Sequence, residues 1–240
     1  MSGVRVVRAG QGVLIGCSHG TRDLAGRATI HELLAAVEAA APELDVREAF
    51  VDVQEPEVAD VVTEALAGAG EGEPVVVVPL LLSVGFHVGV DIAAAVDGGP
   101  ARAAAPLGPD DRLVEVLLDR LGEAGATPDD VVVLAAAGSS DPRAARAVEE
   151  VATALGARRR GPVTVGYGAG CEPTVPDAVV AARTAAPGQR VVIASYLLAP
   201  GYFHDRLLEA GADLVTAPIG ADKRVAEIVL ERYAAAAGVL

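Results

Sequence analysis

The chain contains no tryptophan, and aromatic residues make up only 3% of its 240 positions. Stacking platforms for single-stranded nucleic acid rely on such rings, so that mode of binding is disfavoured. Basic residues are also in deficit: 19 Lys and Arg stand against 33 Asp and Glu, and the formal charge of −14 repels a phosphate backbone. No nucleic-acid partner is expected. Cysteine is scarce, with Cys17 and Cys171 far apart and in no C-x-x-C spacing, which leaves no disulfide framework or structural zinc site. Both are expected to be reduced thiols. No uninterrupted apolar run reaches the roughly 18 residues of a membrane span, since the longest, at 75–84, is broken by Pro79 and Ser83. The opening MSGVRVVRAGQGVLIG lacks the apolar core and small-residue cleavage pattern of a secretory signal. A cytoplasmic protein without a membrane partner is therefore expected.

What is present is aliphatic. Hydrophobic residues account for 52% and charged ones for 22%, ample for a buried core. Short β-branched runs alternate with Ala-rich segments of helical period: a strand at 12–18, then Ile30, Leu33, Leu34 and Val37 on one helix face. There follow a strand at 45–53, a helix opened by Pro56, a strand at 74–83, a short helix at 90–96, a weak strand at 101–106 and a helix at 110–121. The polar stretch EAGATPDD at 123–130 marks a boundary between domains 1–125 and 126–240. Beyond it the series restarts with VVVLAAAG at 131–138 and again gives four strands and four helices. Near-continuous apolar strands separated by single helices predict α/β architecture: two doubly wound parallel sheets covered on both faces.

The two halves match residue by residue. SHGTRDLAGRA at 18–28 overlays AAGSSDPRAAR at 136–146, with an offset of 118 at Gly20/Gly138 and Asp23/Asp141. QEPEV at 54–58 overlays CEPTV at 171–175, and LLSVGFH ending at His87 overlays LLAPGYFH ending at His204. Three matched turns in one order indicate internal duplication. The copies differ where chemistry would lie, because Ala137 stands opposite His19 while His204 stands opposite His87.

In open parallel sheets ligands bind beyond the carboxyl ends of the strands, and His19 and His87 both follow strands at that edge. Each lies near a glycine that frees the backbone, Gly20 beside His19 and Gly85 two residues before His87. Imidazole binds borderline divalent metals and accepts protons near neutrality, so the pair suits metal handling. Asp91 lies one helical turn beyond His87, able to orient its ring or to serve as a solvated helix acid. Glu55 and Glu172, before Pro56 and Pro173, read as acids at helix starts with Pro in the first position, and a cleft-edge role stays open for Glu55. His31 is expected to face solvent, and Cys17 is not expected to ligate metal. No G-x-G-x-x-G, P-loop or G-x-S-x-G motif surrounds Ser18 or the turn glycines.

SHGTRD at 18–23, the Glu55-Pro56 pair and PLLLSVGFHVGVDI at 79–92 resemble the sirohydrochlorin chelatases of the CbiX/SirB type over nearly the whole chain. The resemblance implies two chelatase-like domains and ATP-independent insertion of divalent Fe²⁺ or Co²⁺ into sirohydrochlorin, with no organic cofactor. It carries His19 and His87 over as catalytic, metal-binding residues in the first half; Ser18, Arg22, Glu55, Gly85 and Asp91 are expected to support them. It also implies that the second half, with Ala137, has lost its site. The preference is for iron, and Arg22 is the first candidate to meet a substrate carboxylate. A chain that already holds two units is expected to be a monomer. A non-catalytic metal or tetrapyrrole carrier using the same histidines remains open on the residues alone, whereas the missing secretory signal argues against a periplasmic-type, two-lobed small-molecule binding protein.

Overall fold

The computed structural model describes residues 12–83 and 86–239, with the side chains of 86–88 outside that description. The first half runs β1 (Val13–Ser18), α1 (Leu24–Ala40), β2 (Asp45–Phe50), α2 (Val58–Gly68), β3 (Val75–Pro79), α3 (Phe86–Val96), β4 (Arg102–Ala103) and α4 (Asp111–Glu123). The second runs β5 (Val131–Ala136), α5 (Pro142–Gly156), β6 (Val163–Tyr167), α6 (Val175–Ala185), β7 (Val191–Tyr196), α7 (Tyr202–Leu208), β8 (Leu214–Val215) and α8 (Lys223–Ala237). The strands form two all-parallel sheets, ordered β2-β1-β3-β4 and β6-β5-β7-β8, as the α/β reading anticipates. No helix among the described residues is long and apolar enough to cross a membrane.

Strand alternation places the cores. In β1, Leu14 faces one apolar cluster while Val13, Ile15 and Cys17 face another, so the strand is buried on both sides. Gly16 has no room for a Cβ because a Leu34 methyl of α1 occupies the space. The α1 stripe Ile30, Leu33, Leu34 and Val37 is buried at the anticipated spacing. Helix starts are fixed by side-chain acceptors: Asp23, Asp110, Asp141 and Asp222 each take a backbone N–H of the first turn.

Several details differ from the sequence reading, among them the end of β2 at Phe50 rather than at 53. Pro56 and Pro173 are not first helical residues, because Glu57 and Thr174 occupy the cap positions of α2 and α6. The Pro56 and Pro173 carbonyls instead accept from the N–H groups of Phe50 and Tyr167, 3.0 Å away in each repeat. β3 ends at Pro79 rather than at 83, since its partner β1 ends at Ser18 and the last bond between them runs from Leu80 N–H to the Cys17 carbonyl at 2.8 Å. α3 begins at Phe86, earlier than 90, and β4 pairs over only Arg102 and Ala103.

The last helix of each half crosses to the other. α4 lies against β7 and α5, while α8 lies against β3, β4 and α1. The two sheets therefore share a middle layer of α1, α4, α5 and α8 and one continuous core. The outer faces are closed by α2 and α3 on one side and by α6 and α7 on the other. Side chains clasp this exchange reciprocally. Arg120 on α4 donates to the Pro218 and Ile219 carbonyls at 3.1 and 2.9 Å. Arg232 on α8 donates to the Pro106 and Leu107 carbonyls at 3.0 and 3.2 Å. Likewise Arg112 pairs with Glu231 and Arg224 with Asp119, each at 2.6 Å.

Candidate functional site

β1 and β3 are neighbours in register, Cys17 opposite Pro79, with β2 to one side and β4 to the other. Chain order reverses between them, so their carboxyl ends form the crevice where open α/β sheets bind ligands. His19 stands at the tip of β1, exposed, directly after buried Ser18. Its backbone is pinned because its carbonyl accepts from Asp52 N–H at 3.2 Å, and the Ser18 carbonyl accepts from Val51 N–H at 3.1 Å. The imidazole is thus presented to solvent from a fixed main chain.

The turn after His19 is densely bonded. Thr21 N–H donates to Gln54 Oε1 at 2.8 Å, Thr21 Oγ1 accepts from Asp23 N–H at 3.1 Å, and Asp23 Oδ1 accepts from Gly26 N–H at 2.8 Å. Gly20 is left-handed at φ 94°, and any Cβ there would collide with the Asp52 carbonyl, so glycine is required. Arg27 Nε donates to the Thr21 carbonyl at 2.9 Å. Arg22 is exposed and makes no ion pair among the described residues. The facing β2–α2 loop carries exposed Asp52, Glu55 and Glu57, so the rim is mixed in sign.

The second half completes this edge. The Pro200 carbonyl closes on Gly26, and a Cβ on Gly201 would stand 3.5 Å from Thr21 Oγ1. Tyr196, at the end of β7, donates its hydroxyl to the Leu82 carbonyl at 2.9 Å and so braces the chain leading from β3 towards α3. The sequence reading did not single out Tyr196, Pro200 or Gly201, whose partners lie far away along the chain.

Of the remaining site candidates, Gly85 and the His87 side chain lie outside the described residues. The backbone of His87 falls in the first turn of α3 rather than directly after a strand, because β3 already ends at Pro79. Asp91 is exposed, one helical turn beyond His87 in α3. It lies near enough to the end of β1 that its charge, after burial, helps push the Cys17 thiol up to about 12. Cys17 is fully buried and packs in the core, which makes it a structural residue. Glu55 is exposed in the loop and caps no helix. His31 is exposed, with Nε2 2.9 Å from Glu48 Oε2.

The second half repeats this architecture with Ala137 in the place of His19. The Ala137 carbonyl accepts from Ala169 N–H at 2.9 Å, as the His19 carbonyl accepts from Asp52. His204 Nε2 lies 3.1 Å from the Thr216 carbonyl, an acceptor only, so that nitrogen carries the proton and donates. Among the described residues no three His, Cys, Asp or Glu side chains gather as a metal site would require. Two surface hollows, one at Arg183, Arg190 and Asp213 and one at Asp45, Arg47 and Glu73, lie at the amino-terminal ends of strands, away from His19.

Comparison with known proteins agrees with this geometry. The chain is similar to SirB from Bacillus subtilis with Fe3+, at 22% identity and TM-score 0.79, over 95% of this chain and 96% of that one. It is similar to the sirohydrochlorin chelatase SirB from Bacillus subtilis subspecies spizizenii in complex with cobalt, at 21% identity and TM-score 0.73, over 95% and 96%. It is also similar to CbiX, the terminal enzyme for biosynthesis of siroheme in denitrifying bacteria, at 21% identity and TM-score 0.63, over 94% and 99%. No curated protein matches. At these identities the three structures establish a shared fold. A family model described as CbiX matches residues 13–124 and again 131–236, and the chain belongs to the CbiX family.

Proposed function

We propose that this protein is a sirohydrochlorin chelatase, inserting Fe²⁺ or Co²⁺ into the tetrapyrrole without ATP. The observation that carries the reading is His19, held by its main chain at the β1 tip and exposed beside the β1/β3 crevice, in a chain that matches CbiX twice. Insertion replaces two pyrrole N–H protons by the metal ion, so the protein must bind a hydrated cation, accept protons and hold a flat polycarboxylate. Imidazole suits the first two tasks. In this reading His19 and His87 bind the metal substrate and take the protons, with Asp91 supporting His87 from one turn on. Arg22, exposed next to His19, meets a substrate carboxylate. Ser18, Gly85 and Glu55 shape the surrounding turns. The carboxyl-terminal domain, 126–240, supports the site of domain 1–125 rather than supplying a second one, as Ala137 and the engaged His204 suggest.

The test is an optical assay of purified protein with sirohydrochlorin and Fe²⁺, Co²⁺ or Ni²⁺ in turn, without nucleotide. Metallation faster than the spontaneous reaction, with many turnovers per protein, is expected. Stoichiometric binding without acceleration would instead make the protein a carrier.

A further inference from the structure

Val53 adopts a conformation that its side chain disfavours. Its φ is 65°, the one positive value at a non-glycine among the described residues. A β-branched residue there is a genuine outlier, because its Cβ crowds the following carbonyl. The conformation is tightly bonded: Gln54 N–H donates to the Asp52 carbonyl at 2.7 Å, closing a three-residue turn around Val53, and Val53 N–H donates to Asp52 Oδ1 at 2.6 Å. Val53 belongs to no core cluster and is 43% exposed. It also borders the His19 turn, since a Cβ built on Gly20 would stand 3.3 Å from the Val53 Cβ.

The second repeat supplies the comparison. At the offset of 117 that relates Gln54 to Cys171, Val53 corresponds to Gly170, whose φ is 73°. The surroundings correspond as well, with Gly20 against the Asp52 carbonyl and Gly138 against the Ala169 carbonyl. The same loop is therefore built in one half with glycine, which takes this φ freely, and in the other with valine, which does not. An exposed side chain kept against backbone preference, beside the proposed metal-binding histidine, has its reason outside the packing of the chain.

We propose that Val53 is a substrate-contact residue whose methyl groups pack against the apolar face of the macrocycle next to His19. This inference rests on the chelatase reading above. A tetrapyrrole presents a flat apolar face inside a polar periphery, and the exposed apolar side chains of this protein are distributed to match. Of the six large ones among the described residues, Leu24, Val53, Val90 and Tyr202 lie on the segments that follow β1, β2, β3 and β7 at the carboxyl edge.

The experiment compares Val53→Gly and Val53→Ala with the unmodified chain, reading the thermal midpoint, metal-free sirohydrochlorin affinity by absorbance titration, and KM and kcat for metallation. Val53→Gly removes the backbone conflict and is expected to melt no lower than the parent. Val53→Ala keeps the Cβ and loses only the methyl groups. Both are expected to weaken sirohydrochlorin binding and raise KM about three- to tenfold, with kcat within about twofold. Parental affinity and KM in both variants, with an active parent, would overturn the assignment. So would a marked fall in the melting point of Val53→Gly, which would make the side chain structural. If the parent itself neither binds nor metallates sirohydrochlorin, the chelatase reading fails and this inference goes with it.

Discussion

The hydroxyl of Tyr196, in the second repeat, donates a 2.9 Å hydrogen bond to the carbonyl of Leu82, in the first. Both groups are buried, and a Cβ on Gly108 would strike both, so no space is left for a substitute partner. Tyr196→Phe therefore leaves a buried carbonyl unpaired and is expected to destabilise the protein by about 1–3 kcal/mol. Tyr167, at the end of β6, has a buried hydroxyl with no partner among the described residues, so Tyr167→Phe is expected to be neutral or stabilising. Urea unfolding of the two variants side by side checks this, and equal costs would refute it.

His19→Ala is expected to abolish metal insertion while leaving the fold intact. The ring is exposed, and surface substitutions away from special features usually change stability by within about 0.5 kcal/mol. Loss of a positioned proton acceptor costs about 10²- to 10⁴-fold in rate. Steady-state metallation and a circular dichroism melt decide it: normal turnover by this variant sinks the assignment of His19.

The reciprocal arginines Arg120 and Arg232 each fork onto two consecutive carbonyls of the opposite half. Replacing either by Ala is expected to cost about 1–3 kcal/mol, and replacing either by Lys to recover little, because an ammonium cannot span both acceptors with the same geometry. Urea midpoints of the four variants read this directly. Lys variants as stable as the parent would show that charge alone, not the fork, matters.

Much of this was legible in the sequence, and the physical reason is local. The alternation of strands and helices followed from apolar runs and helical spacing, and the His19 turn from Gly20 and Asp23 recurring as Gly138 and Asp141 in the second repeat. The crossing of α4 and α8 was hidden because an apolar stripe such as Leu113, Val114, Leu117 and Leu121 reads the same whichever sheet it covers. Tyr196 escaped for a similar reason: its partner Leu82 is 114 residues away, beyond any periodicity. Val53 escaped although the repeat held the clue, since its meaning depends on a backbone angle that Gly170 shares.

Acid sensitivity should centre on the carboxylates that the clasp holds. The hydrogen bond from Arg224 keeps Asp222 below the usual carboxylate range, although desolvation opposes it. A group with a depressed folded pKa contributes stability above its unfolded value, about 3.9, and loses that contribution as pH falls through the folded value. Asp222→Asn removes the charge but keeps a side chain that caps α8 as well as Asp does. At pH 7 the variant is expected to be less stable by about 1–3 kcal/mol, the worth of a charge-assisted hydrogen bond. As pH falls from about 4 towards about 2 the parent should lose this advantage and the two urea midpoints should converge. A gap that stays constant over that range would mean that Asp222 stabilises the clasp by packing or capping rather than by its charge.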